Sequence, residues 1–404
     1  MQKVELLSPA GNFEKLKTAF YYGADAVYIG GKNLSLRAQA DNFSNEELIK
    51  ATAYAHNLGK KIYVTVNIFA HNRDLELAEN FIAFLESIGV DGAIMSDPGL
   101  ISLALTKYPK LPVHISTQAN ITNKYIAEFW HKQGAERVVL ARELSLKEIK
   151  EIKEYNPNLE LEAFIHGAMC ISYSGRCLLS EYFNHRDANQ GDCVQACRWN
   201  YAIREVGRDG DYYEISENDR GTYILNSKDL NMIDYIADFI NAGVVSFKIE
   251  GRMKSEYYLA TVVNAYRRAI DAYYKLGEEY KKDRLYNQEL EKTAHRAFTT
   301  AYMLGENKNT VNHLNSQSKG TSVFMAVVKG YDETTSEIIV EMRNRFKVGD
   351  TLEVLSPSDN FNKKITITEM RDLNGKVVED AKIVQQVLKI KSDIKLSQGD
   401  ILRK

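Results

Sequence analysis

The sequence predicts an α/β protein with a barrel of eight βα units, a cysteine-rich insertion after the seventh strand and a small C-terminal all-β domain. Three observations lead to this prediction. A glycine followed closely by a short apolar run recurs along the first 250 residues. All four cysteines lie between positions 170 and 197. From about residue 321 the pattern changes to short strands separated by polar turns.

The glycine junctions indicate helices that end just before strands begin. Gly23 precedes the run Ala26–Ile29, and Gly243 precedes Val245–Ile249. Glycine adopts the left-handed conformation that ends many helices, and the apolar run after it is typical of a strand buried on both faces. Capping boxes at Ser44 and Ser145 predict that helices begin at these two positions.

The barrel follows from the number of these units. Eight strands in about 270 residues match the size of a TIM-type (β/α)8 barrel, which we predict for residues 1–275. An open, doubly wound sheet is the alternative, but no G-x-G-x-x-G motif follows the first strand. The predicted barrel strands are Val4–Leu7, Ala26–Ile29, Ile62–Val66, Ala93–Met95, Val113–Ser116, Arg137–Leu140, Leu161–Ile165 and Val245–Ile249.

Three further segments complete the predicted organisation. The cysteine-rich insertion occupies residues 168–226, a polar helical connector 276–320, and a small β-barrel-like domain 321–404. Such a domain often contacts nucleic acid, although a packing module is an equally good interpretation. Its predicted strands are Ser322–Val328, Glu337–Met342, Thr351–Val354, Lys364–Thr368 and Ile383–Leu388.

Composition indicates a soluble globular protein. Hydrophobic residues make up 44% and charged residues 26%, which excludes wholesale disorder. With 52 basic and 54 acidic residues the net charge is -2, so the chain as a whole has no strong attraction for nucleic acid. We expect a cytoplasmic protein without membrane contact, because the sequence has no apolar run of about 18 residues and its start does not resemble a signal peptide.

The four cysteines predict a metal site. Cys170, Cys177, Cys193 and Cys197 are separated by six, fifteen and three residues. Disulfides or core-filling thiols would be scattered along the chain. Zinc sites usually have two short spacings, whereas iron–sulfur clusters tolerate wider ones, so the pattern favours a 4Fe-4S cluster. Structural Zn²⁺ is the alternative, and four unligated thiols are the third interpretation.

Polar residues follow most of the predicted barrel strands. The carboxyl ends of barrel strands form the catalytic face, so we expect these residues to bind substrate. The candidates are Arg37, Asn67, Gln118, Arg142, Lys248, Glu250, Arg252 and Lys254. The five basic side chains among them should make this face cationic and suited to carboxylates or phosphates. Solvated surface charges are the alternative interpretation.

His166 and Glu162 are the candidate catalytic residues. His166 stands at a strand end four residues before Cys170, and Glu162 lies four positions earlier, which we expect to be the same strand face. This pair could perform acid–base chemistry, or His166 could donate a hydrogen bond to a metal ligand. A hydrogen-bonded structural histidine is the alternative. The sequence has no Ser-His-Asp elbow and no H-E-x-x-H helix, so hydrolytic machinery is not visible.

The segment Glu162–Cys170 resembles the signature of the collagenase-like peptidase family U32. The resemblance covers most of the chain. One departure is Ala301, which stands where the family pattern has glycine. Other segments that resemble blocks of this family are Ser116–Asn120, Asn226–Leu230, Lys248–Lys254 and Arg296–Thr300.

The resemblance implies RNA modification. Family members resemble oxygen-independent or prephenate-linked hydroxylases with a 4Fe-4S cluster on four cysteines, which correspond here to Cys170, Cys177, Cys193 and Cys197. One branch, with a C-terminal β-domain as here, forms 5-hydroxyuridine at the tRNA wobble position. Others hydroxylate ribosomal RNA or a ubiquinone precursor. We therefore expect a tRNA uridine hydroxylase whose partners are tRNA and a small anionic co-substrate such as prephenate.

Two other functions remain as alternatives. A metal-dependent, collagenase-like peptidase would need a metal with an open coordination position, which four cysteines around zinc do not leave. A non-catalytic assembly or scaffold protein would be unaffected by neutralising a strand-end charge such as Arg252. The sequence does not predict the oligomeric state.

Overall fold

A ring of parallel strands forms the N-terminal part of the computed structural model, which describes residues 3–32, 34–36, 41–199, 226–305, 310–312 and 317–404. The strands of this sheet are β1 (Glu5–Pro9), β2 (Ala26–Gly30), β3 (Lys61–Val66), β4 (Gly92–Met95), β5 (Val113–Ile115), β6 (Arg137–Val139), β7 (Glu160–Ala168), β8 (Asp229–Asn231), β9 (Ser246–Ile249) and β10 (Phe298–Thr299). Strands β1 to β7 pair in order, and β9 pairs with both β7 and β1, which closes the ring. The predicted TIM-type barrel is confirmed, and each predicted barrel strand overlaps an observed one.

Helices surround this ring and connect its strands. Both predicted capping boxes are confirmed: the Ser44 and Ser145 side chains accept hydrogen bonds from the backbone N–H groups of Glu47 and Glu148. Gly134 ends one of the helices with a left-handed φ of 105°. The helices are α1 (Phe13–Tyr21), α2 (Asn45–Asn57), α3 (Leu75–Ile88), α4 (Pro98–Lys107), α5 (Lys124–Gln133), α6 (Leu146–Tyr155), α7 (Leu179–Asn184), α8 (Ile236–Asn241), α9 (Glu256–Leu276) and α10 (Arg284–Glu291).

The segment between the insertion and β9, and the connector, each add one strand to the barrel sheet. Strand β8 runs antiparallel to the carboxyl end of β7, with Leu230 opposite Gly167, and β10 pairs in parallel with β8. The segment expected to be a helical connector therefore contains a strand as well as α10. Residues 200–225 of the predicted insertion, and residues 306–309 and 313–316 of the connector, lie outside the described residues.

Residues 321–404, all of them described, form a separate antiparallel β-domain. Its main sheet has the strand order β15-β14-β19-β11-β12-β18-β16, and β13 pairs with β17. Four of the five predicted strands are observed, but the predicted strand at Ile383–Leu388 begins only at Val387. The strands are β11 (Phe324–Asp332), β12 (Glu337–Met342), β13 (Phe346–Lys347), β14 (Thr351–Leu355), β15 (Lys364–Thr366), β16 (Met370–Asp372), β17 (Asp380–Ala381), β18 (Val387–Lys391) and β19 (Ile401–Arg403).

A buried ion cluster joins this domain to α10. The Arg403 guanidinium is fully buried and donates to carboxylate oxygens of Glu289 and Glu353, each at 2.7 Å. The Tyr22 hydroxyl, at the end of α1, donates to the carbonyl oxygen of Leu355 at 2.9 Å. These contacts fix the β-domain against the outer helices of the barrel. The helices of the described residues include none with the length and apolar character of a membrane span.

Candidate active site

The carboxyl ends of the barrel strands surround a cavity of about 280 Å³. All four cysteines of the insertion also line it. The cavity thus brings the predicted metal ligands and most of the predicted binding residues together. Arg37 lies outside the described residues. The predicted binding residues that line the cavity are Asn67, Gln118, Arg142, Lys248, Glu250, Arg252 and Lys254.

The cysteines lie close enough to influence one another. Cys170 is exposed, and the other three cysteines are partly buried. Burial and, to a smaller extent, the neighbouring thiols Cys170, Cys193 and Cys177 raise the pKa of Cys197 to about 11, although Arg198 lowers it. Four thiols that face one cavity are a donor set suited to a 4Fe-4S cluster. Within the described part of the chain, no three His, Cys, Asp or Glu side chains are placed to hold a single metal ion.

Side-chain hydrogen bonds fix the insertion to the barrel. Arg176, next to Cys177, donates from Nε and Nη2 to the carbonyl oxygen of Gln118, at 3.0 and 2.7 Å. The Glu143 carboxylate, after β6, accepts from the backbone N–H of Ser174 at 2.8 Å. The cysteine segment is thereby held over the ends of β5 and β6.

The cavity is cationic. Among the described residues, five basic side chains line it against the two acidic side chains of Glu143 and Glu250. The Arg142 guanidinium lies 3.8 Å from the centroid of the Phe164 ring and donates to the carbonyl oxygen of Ala168 at 2.8 Å. Stacking on one ring fixes the plane of this guanidinium, which suits recognition of a planar anion.

Arg252 is held by two hydroxyl groups at the mouth of the barrel. It is 3% exposed and donates to the hydroxyl oxygens of Ser35 and Thr65, at 2.7 and 3.0 Å. A Cβ atom at Gly30 would collide with Nη1 of Arg252, so this glycine permits the close approach. These hydrogen bonds fix the guanidinium at the cavity that it lines.

Glu162 belongs to an ion network inside the barrel and does not line the cavity. Its carboxylate accepts from Nζ of Lys248 at 2.7 Å and from Nη1 of Arg137 at 3.3 Å. Arg137 also donates to Glu5 at 2.7 Å. Lys248 therefore connects this buried network with the cavity that it lines. The catalytic role expected for Glu162 stays a prediction.

His166 faces away from the cavity. The pairing of β7 with β9 contains a bulge between Phe164 and His166, which interrupts the regular alternation of side chains between the two faces of the strand. Phe164 lines the cavity, whereas His166 packs outside the ring against Tyr258 and Tyr266 of α9. The expectation that Glu162 and His166 share one strand face is therefore wrong. The catalytic role expected for His166 stays a prediction.

Two family models match nearly the whole chain. The model of Peptidase family U32 matches residues 11–313, and that of the Peptidase family U32 C-terminal domain matches residues 321–403. The chain belongs to Peptidase family U32. The boundary between the two matches lies close to the start of the β-domain.

Relatives of this U32 protein are named for RNA hydroxylation. The tRNA hydroxylation protein P1 of Bacillus subtilis is 42% identical over 405 residues, covering 100% of this chain and 95% of that protein. The tRNA hydroxylation protein P of Escherichia coli is 39% identical over 422 residues, covering 94% and 91%. A 23S rRNA 5-hydroxycytidine synthase of Escherichia coli is 36% identical over 321 residues, covering 78% and 47%.

Ala301 keeps the backbone conformation expected of the glycine in the U32 pattern. Its φ is 49°, in the left-handed region that favours glycine. The backbone N–H of Ala301 donates to the Thr299 hydroxyl oxygen at 3.0 Å, which holds the turn. Ala301 thus holds a left-handed turn that costs about 1–2 kcal/mol for a residue with a Cβ atom.

Arg198 and Tyr28 are examples of cavity residues of this U32 protein that were not among the predicted site residues. Arg198 lines the cavity directly after Cys197, and burial lowers its pKa, as does the nearby Arg296. Its position directly after the predicted ligand Cys197 was the one feature of the sequence that could have indicated a place in the site. Tyr28 also lines the cavity and donates to the Glu250 carboxylate at 3.1 Å. Tyr28 lies within an apolar strand, so its sequence context gave no signal.

The buried histidine predicts a pH dependence of stability. Burial lowers the pKa of His166 from its usual 6.5 to about 3, so the folded protein keeps this ring neutral. The unfolded chain protonates it below pH 6.5, so stability falls as the pH decreases from about 6.5 towards 3. We expect the free energy of unfolding of His166→Gln to fall less steeply than that of the wild type between pH 7 and pH 5.

Urea unfolding at several pH values measures this slope. Replacing the exposed His131 by glutamine is the matched control and should leave the slope unchanged. Buried His114 also has a lowered pKa, so the slope should decrease without vanishing. Equal slopes for wild type and His166→Gln would contradict the prediction.

Proposed function

We propose that this U32 protein hydroxylates uridine at the wobble position of tRNA to 5-hydroxyuridine. The proposal includes a 4Fe-4S cluster on Cys170, Cys177, Cys193 and Cys197, and a prephenate-like carboxylate as co-substrate. The observation that carries it is that four thiols and five cationic side chains face one cavity at the catalytic end of a barrel. The names of the Bacillus subtilis and Escherichia coli relatives support tRNA as the substrate.

The cysteines provide the donors for the proposed cofactor. When bound, a 4Fe-4S cluster would supply one-electron redox chemistry. Such chemistry suits hydroxylation, because replacing the hydrogen on C5 by a hydroxyl group oxidises the base. The anchoring of the insertion by Arg176 and Glu143 keeps the thiols over the cavity. A tetrahedral zinc ion on the same four thiolates would have no open position and would be structural.

The cationic residues provide the anion site. Arg142, in the loop after β6, and Arg252 and Lys254, in the loop after β9, line the cavity, so a small dicarboxylate or an RNA phosphate can contact more than one of them. Lys254 is half-buried, and burial lowers its pKa. A wobble base lies in a single-stranded loop, so its entry into the cavity costs little unpairing energy.

No observation on the described residues favours peptide hydrolysis. His166, one of the two candidate catalytic residues, packs against α9 outside the barrel and is fully buried. Cleavage of denatured collagen by the purified protein, lost in a His166→Ala variant, would be the result that supports a peptidase.

Complementation tests the proposed function. The chain would be expressed without oxygen in Escherichia coli cells that lack their own tRNA hydroxylation protein P, and tRNA nucleosides would be quantified by mass spectrometry. We expect the wild type to restore 5-hydroxyuridine. Absence of the nucleoside, in cells where the Escherichia coli protein itself restores it, would contradict the proposal.

Neutralising Arg252 should weaken co-substrate binding. Loss of a charged hydrogen-bond donor costs about 1.5–3 kcal/mol, so we expect Arg252→Gln to lower 5-hydroxyuridine about tenfold to a hundredfold at limiting co-substrate. The control is Lys110→Gln, an exposed charge in the loop between α4 and β5 at the opposite end of the barrel. Equal product from both variants would contradict an anion-binding role for Arg252.

A further inference from the structure

Two amide side chains at the cavity form a hydrogen-bonded pair. Gln118 follows β5, is 5% exposed and lines the cavity, as does Asn67, which follows β3. Nδ2 of Asn67 donates to Oε1 of Gln118 at 3.3 Å. Oδ1 of Asn67 accepts from the backbone N–H of Leu36 at 3.3 Å.

The backbone group fixes the orientation of both amides. A backbone N–H can only donate, so the Asn67 atom facing Leu36 must be oxygen and the atom facing Gln118 must be nitrogen. Gln118 therefore turns its oxygen to Asn67 and keeps Nε2 for the cavity. Among the described residues, no group accepts a hydrogen bond from Nε2.

The backbone around the pair is also fixed. The carbonyl oxygen of Gln118 accepts two hydrogen bonds from Arg176, the residue before Cys177. The backbone N–H of Asn67 donates to the carbonyl oxygen of Leu34 at 3.1 Å, and the Ser96 hydroxyl donates to the carbonyl oxygen of Asn67 at 2.9 Å. The cavity thus contains a preorganised hydrogen-bond donor close to the cysteine segment.

We infer that Gln118 is a specificity-determining residue that selects uridine over cytidine by donating from Nε2 to the O4 oxygen of the base. Uracil carries an acceptor oxygen at position 4, whereas cytosine carries an amino group, which can only donate there. This inference rests on the proposed function. Position 4 is bonded to C5, the carbon that receives the hydroxyl group, so a contact there also places C5 at the cavity.

Reversing the pair tests the inference. In Asn67→Asp one carboxylate oxygen accepts from Leu36, and the other can only accept from Gln118, which must then turn Oε1 to the cavity. In Gln118→Glu an acceptor faces the cavity directly. For both variants we expect the ratio of 5-hydroxyuridine to 5-hydroxycytidine to fall by about tenfold to a hundredfold.

The ratio would be measured by nucleoside mass spectrometry on two otherwise identical tRNAs, with uridine or cytidine at the wobble position. Gln118→Leu removes the donor without adding an acceptor and should lower the ratio less. Two outcomes would overturn the inference: an unchanged ratio with both products lowered equally, and an unchanged ratio with a higher requirement for the carboxylate co-substrate. A wild type that hydroxylates neither tRNA would instead contradict the proposed function.

Discussion

Replacing Cys193 by serine is expected to remove both iron binding and 5-hydroxyuridine formation. The sequence contains four cysteines, and all four line one cavity, so no other thiol can take the place of the lost ligand. Cys193 is also one of the thiols that raise the pKa of Cys197, so it lies near the other proposed ligands. A hydroxyl is a much poorer iron ligand than a thiolate, and the remaining three cysteines would hold the cluster weakly.

The measurement is iron, acid-labile sulfide and zinc per chain on protein purified without oxygen, with the visible absorption spectrum. The wild type should hold about four irons and four sulfides. Leu178→Ser, an exposed change in the same insertion, is the control and should keep them. Full iron content and full hydroxylation in Cys193→Ser would contradict the proposal. Stoichiometric zinc without iron in the wild type would make the insertion structural.

The barrel was predictable because its signals are local. A junction such as Gly243 before Val245–Ile249 and a capping box such as that at Ser44 each lie within a few residues. Strand β19 (Ile401–Arg403) was not predicted, because its pairing partners β11 and β14 lie far away in the sequence. Ile383 and Val384 show the opposite failure: their β-branched side chains predicted a strand, but they are 62% and 77% exposed and precede β18. In both cases the presence or absence of a neighbouring strand to pair with, rather than β-propensity, determined whether the residues form a strand.

The site was predictable to the extent that barrel topology determines it. Parallel strands end at one face, so polar residues after β3, β5, β6 and β9 meet there, although 217 residues separate hydrogen-bonded partners such as Ser35 and Arg252. The bulge before His166 was missed because side-chain alternation alone was used, although Gly167 directly follows it and an isolated glycine within a strand can mark a bulge. The partners of Glu162 were also hidden, since Lys248 lies 86 residues away in the sequence.

The ion network inside the barrel gives the second large effect. Arg137→Met is expected to lower the free energy of unfolding by about 3–5 kcal/mol, because removing one partner leaves buried charges without compensation. The Arg137 side chain is 4% exposed and contacts three carboxylates, those of Glu5, Glu160 and Glu162. Burial alone would raise the pKa of Glu5, but Arg137 and hydrogen bonds lower it by more. The net pKa therefore lies below the usual 4.5, and the carboxylate is ionised in the folded protein at pH 7.

The double variant Arg137→Met/Glu5→Gln separates charge from packing. If the uncompensated Glu5 carboxylate causes the loss of stability in Arg137→Met, replacing it by the neutral glutamine should recover part of the free energy of unfolding, measured with urea at pH 7. The single variant should also lose less stability relative to the wild type as the pH falls below about 4.5, where the unfolded Glu5 protonates. Glu162 keeps Lys248 as its partner in either variant, so the cavity end of the network should persist. An equal loss in both variants at every pH would assign the effect of Arg137 to packing.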